Sequence, residues 1–194
     1  MASPMAGSAH AAGNDSGAGT TVNPSVRAAR PGDEAGILRV VGDAFSDGGE
    51  RDPEEELTIV RKTWSATQGP ARIELVADEG GTVVGHLQAA PGRLDGIDTA
   101  VAGVAPVCVG TTSQGRGVGT ALMSALIGAA TDRRWPLLVL LGEPAYYGRF
   151  GFVAAGPLGL HYAPVGAGNP HFQARPLPGH DASLRGDFSY CWES

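Results

Sequence analysis

The segment Val107-Cys108-Val109-Gly110-Thr111-Thr112-Ser113-Gln114-Gly115-Arg116-Gly117-Val118-Gly119-Thr120 constrains the fold most, because it reads as a strand, a glycine-rich turn and the first turn of a helix. A helix that starts this way presents backbone N–H groups with no intrahelical partner at the positive end of its dipole. The missing side chains let an anion come up against the main chain. The order therefore predicts an α/β chain with an anion-binding turn between a central strand and a helix. Gly115, Gly117 and Gly119 are spaced G-x-G-x-G, so they meet neither the G-x-G-x-x-G dinucleotide fingerprint nor a P-loop, which ends in Gly-Lys-Ser/Thr. Glu143 falls roughly where a ribose-binding acid would sit, about 20 residues beyond the glycines. Against a dinucleotide fold, apolar runs and two helical patterns precede the turn, whereas that fold opens on its glycines.

Residues 1 to 24 are dominated by Ala, Gly, Ser, Thr, Asn and Pro and show no periodic apolar face, which predicts a disordered tail. Val26 to Ala29 reads as a first strand. Pro31-Gly32-Asp33 introduces a helix in which Ile37, Val40, Val41, Ala44 and Phe45 recur at helical spacing, with Asp33 expected as its N-cap. A second helix is expected from Asp52-Pro53, with Asp52 as cap, Pro53 as first helical residue, and Glu54, Glu55 and Glu56 in the first turn. Leu57, Val60 and Trp64 form its buried stripe, and Gln68-Gly69-Pro70 ends it. Ile73 to Asp78 and Thr82 to Ala89 read as a hairpin, followed by a Gly- and Asp-rich loop and a strand from about Ala100 to Val109. Pro106 inside that strand donates no ladder hydrogen bond, so an edge or a bulge is expected there. A helix from Gly119 or Thr120 to about Thr131 turns Leu122, Ala125, Leu126 and Ala129 inward. Pro136 to Leu141 is a short buried strand, Pro144 to Phe150 a short helix, and further strands are expected around Leu158 to Tyr162, Phe172 to Leu177 and Asp187 to Cys191.

The 194 residues, 42% of them hydrophobic, suit one domain with a substantial core, and a net charge of -6 argues against general nucleic-acid binding. No cationic, apolar leader opens the chain and no apolar run is long enough to span a bilayer, so a cytoplasmic protein without membrane contact is expected. Cys108 and Cys191 are expected as reduced thiols, Cys108 as a small core residue. His10, His86, His161, His171 and His180 show neither metal-ligand spacing nor a Cys/His catalytic signature, so no metal is expected.

Gln114, Gly117 and Gly119 meet the pattern Q/R-x-x-G-x-G/A, which resembles the acetyl-CoA pyrophosphate loop of the GNAT superfamily of N-acetyltransferases. Downstream, Gly142-Glu143-Pro144-Ala145-Tyr146-Tyr147-Gly148-Arg149-Phe150-Gly151-Phe152 resembles the Tyr-x-x-x-Gly-Phe element of the same superfamily, in the form carried by a bacterial subgroup. The resemblance implies a mixed, mainly antiparallel α/β sheet with one splayed parallel strand pair, flanked by helices. It divides the chain into an acetyltransferase domain over residues 25–168, with strands over 169–194 packing on the same domain.

The resemblance also implies a reaction: the acetyl group of acetyl-CoA passes directly to a primary amine in a ternary complex, the acceptor being a small molecule or a protein, and it allows a homodimer. A non-catalytic acyl-CoA-binding module on the same fold is the alternative. Tyr147, four residues before Gly151, matches the tyrosine that protonates the departing thiolate, while Tyr146 is read as structural. Val107 and Val109 on the bulged strand would hold the pantetheine arm and supply the oxyanion donor; Gln114, Gly115, Arg116, Gly117, Val118, Gly119 and Thr120 would hold the pyrophosphate, with Arg116 adding positive charge. Glu143 is either an assisting base or a cap before Pro144. Asp43, Asp47, Glu50, Asp52 and Glu54 to Glu56 either border a site for a cationic acceptor or form a solvated surface.

Overall fold

Period-two alternation of apolar residues makes strands of the middle of the chain, but the strands run longer than the alternation alone predicts. The computed structural model describes residues 24–46, 52–67 and 71–193. Within them β1 (Ser25–Ala28), β2 (Ile73–Glu79), β3 (Thr82–Leu94) and β4 (Ile97–Val109) form an antiparallel meander. The expected Gly- and Asp-rich loop is part of the β3–β4 hairpin, turned at Asp95-Gly96, where both residues have positive φ. Asp-Gly with two left-handed residues matches the right-handed twist of the flanking strands.

β4 then pairs in parallel with β5 (Leu137–Leu141), through α3 (Val118–Asp132), and β5 pairs antiparallel with β8 (Phe172–Pro176), which in turn pairs antiparallel with β6 (Val153–Ala154). The parallel pair is short. Val101, Ala102 and Gly103 pair with Leu137, Leu138 and Val139, and beyond Gly103 the rest of β4 pairs with β3 alone. The sheet is thus mainly antiparallel with one splayed parallel pair at its centre, as expected. A second, two-residue parallel contact joins β7 (Leu160–His161) to β9 (Gly186–Ser189), whose other edge meets the end of β3.

The two faces of the sheet are covered differently. α3 packs Leu122, Met123 and Leu126 against Leu75, Leu87 and Leu138 on one face. On the other, α1 (Glu34–Phe45) and α2 (Glu54–Ala66) bring Ile37, Val40, Val41 and Val60 onto Val76 and Cys108. Beside them the C-terminal segment lays an aromatic cluster of Tyr162, Phe172, Phe188, Tyr190 and Trp192 over Val101 and Val139. The third helix begins one residue earlier than expected, at Val118, with Gly117 in the cap position. α2 is also shifted: Pro53 takes the cap position, and Asp52 accepts a hydrogen bond from the Glu54 amide at 3.0 Å. The expected end of that helix at residues 68–70, and the tail at 1–23, lie outside the described residues.

Asp33 occupies the cap position of α1 but does not cap it through its side chain. Its carboxylate instead accepts two hydrogen bonds from Arg27, at 2.7 and 3.0 Å, and one from the Arg30 amide at 2.7 Å. Arg27 also donates to Asp78 at 2.8 Å, so one guanidinium ties β1, β2 and the start of α1 together. A planar fork that satisfies two carboxylates explains why the acid is drawn away from the helix amides. The Arg27 hydrogen bonds outweigh the opposing effect of burial and hold the Asp33 carboxyl at about 2. A carboxyl held below its unfolded value contributes stability that is complete above about pH 4 and is lost as pH falls through about 2. Arg27→Gln is therefore expected to cost roughly 1–2 kcal/mol at neutral pH, and the difference from the parent should shrink as pH falls from 4 to 2. Urea unfolding across that range checks both the size and the pH window.

Candidate functional site

The cleft at the centre of the sheet follows from a mismatch in strand length. Leu87 pairs with Val107 and Ala89 with Val104, so Gln88 on β3 faces two residues on β4, Ala105 and Pro106. This two-against-one bulge bends β4 away from its parallel neighbour, and proline is tolerated there because no ladder donor is needed. After the bulge the Gly110 amide donates to the Val84 carbonyl at 2.9 Å. By the alternation of an antiparallel ladder, Cys108 turns its main-chain groups toward β3, whereas Val107 and Val109 turn theirs toward the splay. Two polar main-chain positions thus border the cleft.

The glycine-rich turn closes the end of that cleft. Gly115 and Gly117 have φ of 74° and 79°, a left-handed conformation that side chains disfavour, and they bring the chain round into α3. α3 has no side-chain cap and no acidic residue in its first turn, so the amides of Val118, Gly119 and Thr120 are left at a positive helix end. Val118 buries its side chain in the core. Gln114 donates from Nε2 to the Val109 carbonyl at 3.2 Å, bracing the turn against the strand. Arg116 is paired with Glu79 at 2.5 Å, which pulls the Glu79 carboxyl down and the guanidinium up. Its charge is therefore shared with an acid rather than offered wholly to the turn.

α4 (Pro144–Tyr147) begins with Glu143 as its N-cap; its carboxylate accepts from the Ala145 amide at 3.4 Å. Of the two roles open to Glu143, the structure shows the cap. Tyr147 at the end of α4 is 5% exposed and packs edge-on against Tyr146 and Phe152. Its ring lies so close over Gly142 that a side chain there would overlap it. Burial, with smaller effects from Tyr146 and Cys108, raises its phenol above the ordinary value, and no group hydrogen-bonds its hydroxyl among the described residues. Tyr146 directs its hydroxyl to Gly119 in the first turn of α3, and Arg149 stacks over its ring at 4.5 Å. The residue read as structural thus sits at the glycine-rich turn.

Cys108 is buried opposite His86, and burial pushes its thiol up to about 12, so it is poorly suited to act as a nucleophile. Of the acidic cluster, Glu54 pairs with Arg61 at the surface, while Asp47 and Glu50 lie outside the described residues. The sequence does not single out Gln88, fully buried opposite the bulge, or Tyr190, buried with its ring over Gly103. The only available signal is a glycine in an apolar strand, which marks close approach of another group without naming it. Among the described residues no helix is long and apolar enough to cross a membrane.

Residues 25–155 match the model of the GNAT acetyltransferase domain. The uncharacterized N-acetyltransferase YhbS of Escherichia coli K12 is 31% identical over 81 residues, which are 42% of this chain; the match spans about half, 48%, of that relative. In three dimensions the fold is similar to a crystal structure of E. coli YhbS in complex with CoA, with a TM-score of 0.74 and 25% identity over 90% of this chain and 93% of the other. A GNAT family acetyltransferase from Brucella melitensis in complex with acetyl-CoA gives a TM-score of 0.67 and 28% identity over 86% and 94%. The turn, the splayed strands and the extent of the match agree, and the chain belongs to the GNAT acetyltransferase family.

Proposed function

We propose that this protein transfers the acetyl group of acetyl-CoA to a primary amine by direct attack within a ternary complex. The observation that carries the reading is the meeting, at one cleft, of three features: the uncapped start of α3, the main chain of Val107 and Val109 turned toward the splay, and Tyr147. The α3 amides and the left-handed glycines suit a pyrophosphate. The outward groups of β4 suit the amides of a pantetheine arm, and an N–H of Val107 or Val109 would meet the oxyanion that develops as the amine attacks. CoA and acetyl-CoA bound to the two structural relatives support the same cosubstrate. A cytoplasmic setting and a small-molecule or protein amine acceptor complete the reading.

Burial keeps the Tyr147 phenol protonated through neutral pH. A phenol of ordinary pKa near 10 is already matched to a departing thiolate. Released from water, Tyr147 is a proton donor that delivers to sulfur as the C–S bond breaks. The test is thiol release from acetyl-CoA with spermidine, tyramine, lysine methyl ester and an alanine-terminated tripeptide. Turnover with at least one is expected; acetyl-CoA binding with none turned over would favour the non-catalytic module.

Tyr147→Phe keeps the ring over Gly142 and should retain acetyl-CoA affinity while turnover falls roughly 10²- to 10⁴-fold. Steady-state rates beside calorimetric binding check it, and wild-type turnover would remove Tyr147 from the reaction. In Gly117→Asp a negative charge enters the turn where two or more charge-assisted hydrogen bonds are expected. CoA affinity should fall by about 100-fold or more with the fold intact, as read by calorimetry and circular dichroism.

A further inference from the structure

Residues 105–109 bring no carboxylate to the cleft, so an acceptor arriving as an ammonium must lose its proton to a group elsewhere. Beside the bulge, on the face covered by α1 and α2, three polar side chains are enclosed: His86 and Gln88 from β3, each 0% exposed, and Thr63 from α2, 1% exposed. Nδ1 of His86 and both amide atoms of Gln88 are buried with no hydrogen-bond partner among the described residues, whereas the Thr63 side chain shares a hydrogen bond with Cys191. Gln88 stands opposite Ala105 and Pro106, and His86 opposite Cys108. Each unmet buried group costs about 1–3 kcal/mol, so so many beside one bulge call for a function.

The other nitrogen of His86 is held. Nε2 lies 3.2 Å from Oε1 of Glu74, the same oxygen accepts from Trp64 Nε1 at 2.6 Å, and Oε2 accepts from Arg72 Nε at 3.0 Å. Burial alone would raise the Glu74 carboxyl, but hydrogen bonds from His86, Trp64 and Arg72 outweigh it and keep the group below its usual range. An ionised carboxylate only accepts, so neutral His86 must carry its proton on Nε2, which leaves the Nδ1 lone pair open. The titratable and charged groups facing the ring are Glu74 with Arg72 behind it from β2 and Cys108 from β4. α1 and α2 turn mainly Ile37, Val40, Val41, Val60 and Trp64 to this face.

We propose that His86, oriented by Glu74, is the proton-relay residue that deprotonates the incoming ammonium, with Gln88 ordering the water that joins Nδ1 to the amine. The proposal rests on the acetyltransferase reading above. The ammonium gives one proton through that water to Nδ1, and the imidazolium is paired with Glu74. The freed amine forms the C–N bond as the C–S bond breaks and its electrons go to sulfur. Sulfur takes a proton from Tyr147, and the second proton lost by nitrogen restores the phenol. One proton remains on His86 and passes to bulk water once the product has left, so the products are an amide, a thiol and one proton.

The test is kcat/KM of the intact protein for spermidine, tyramine and the alanine-terminated tripeptide, at saturating acetyl-CoA, over about pH 6 to 10. His86→Gln retains a donor for Glu74 and removes the base. Its deficit should be about 10²-fold or more near pH 7 and shrink below about tenfold near pH 10, where the acceptors deprotonate in bulk; acetyl-CoA affinity should not change. Glu74→Gln should show a smaller deficit with the same pH trend, and it decides the matter if His86→Gln fails to fold. A deficit constant across pH, or none, in an active protein overturns the relay and leaves the acetyltransferase reading intact. Absence of wild-type turnover with every acceptor overturns both.

Discussion

The cleft depends on β4 being unable to satisfy two neighbours at once. Its antiparallel register with β3 carries one residue too many at Ala105 and Pro106, and its parallel register with β5 stops at Gly103. A strand that stayed in register with both would close the sheet and leave no main chain for a ligand. The three-pair contact below the bulge is nevertheless enough to join the two halves, because Val101, Ala102, Leu137, Leu138 and Val139 are all fully buried. Hydrophobic packing on both faces carries the junction where the ladder is short. The open end is then free of the ladder's demands.

Glycines next to aromatic rings set the walls of this cleft. Tyr190 lies over Gly103 and Tyr147 over Gly142, and in both a Cβ would overlap the ring; Tyr146 meets Gly119 in the same way, at its hydroxyl. These three positions sit on β4, at the end of β5 and at the start of α3, so the rings key the strands and the helix to each other. Burial is the main cause that raises both phenols, with Tyr146 and Cys108 adding to it at Tyr147, and Glu193 and then Tyr147 adding to it at Tyr190. Position and protonation state of the cleft tyrosines therefore share one cause, the close packing of aromatic side chains onto bare backbone.

Features whose causes are local were legible in the sequence, and those that needed a partner distant in the chain were not. The turn at Gly115 and Gly117, the strand before it and the helix after it are written in consecutive residues, and Pro106 marks the bulge to within a residue. Asp95-Gly96 was equally local, yet Pro91 and Gly92 within β3 obscured the strand pattern around it and the hairpin read as a loop. Asp33 and Arg116 show the other limit. Each sits where its residue type is expected to serve a helix end, and each is claimed by a charge far away in sequence: Arg27 for the first and Glu79 for the second. His86 had no local signature at all, since its partner Glu74 lies on another strand and its unmet nitrogen is visible only once the sheet is assembled.

The charge pattern of the helix ends bears on an apparent conflict in the proposed function, that a chain of net charge -6 should bind a polyanion. α1 starts with Glu34, and α2 with Glu54, Glu55 and Glu56, which neutralise the positive ends of those helices. α3 starts with Gly117, Val118, Gly119 and Thr120 and has neither an acid nor a capping side chain in its first turn. An acid there would stabilise the helix by about 0.3–1 kcal/mol, so its absence is a small local loss. Pairing Arg116 with Glu79 removes a free cation from the rim as well. Attraction at the turn then comes chiefly from fixed amide dipoles, which are already oriented and carry little of the desolvation cost of a free cation. Such a site acts over the first turn of one helix and not over the whole surface, so the proposed phosphate site at one cleft is compatible with an acidic protein that is no general binder of anions.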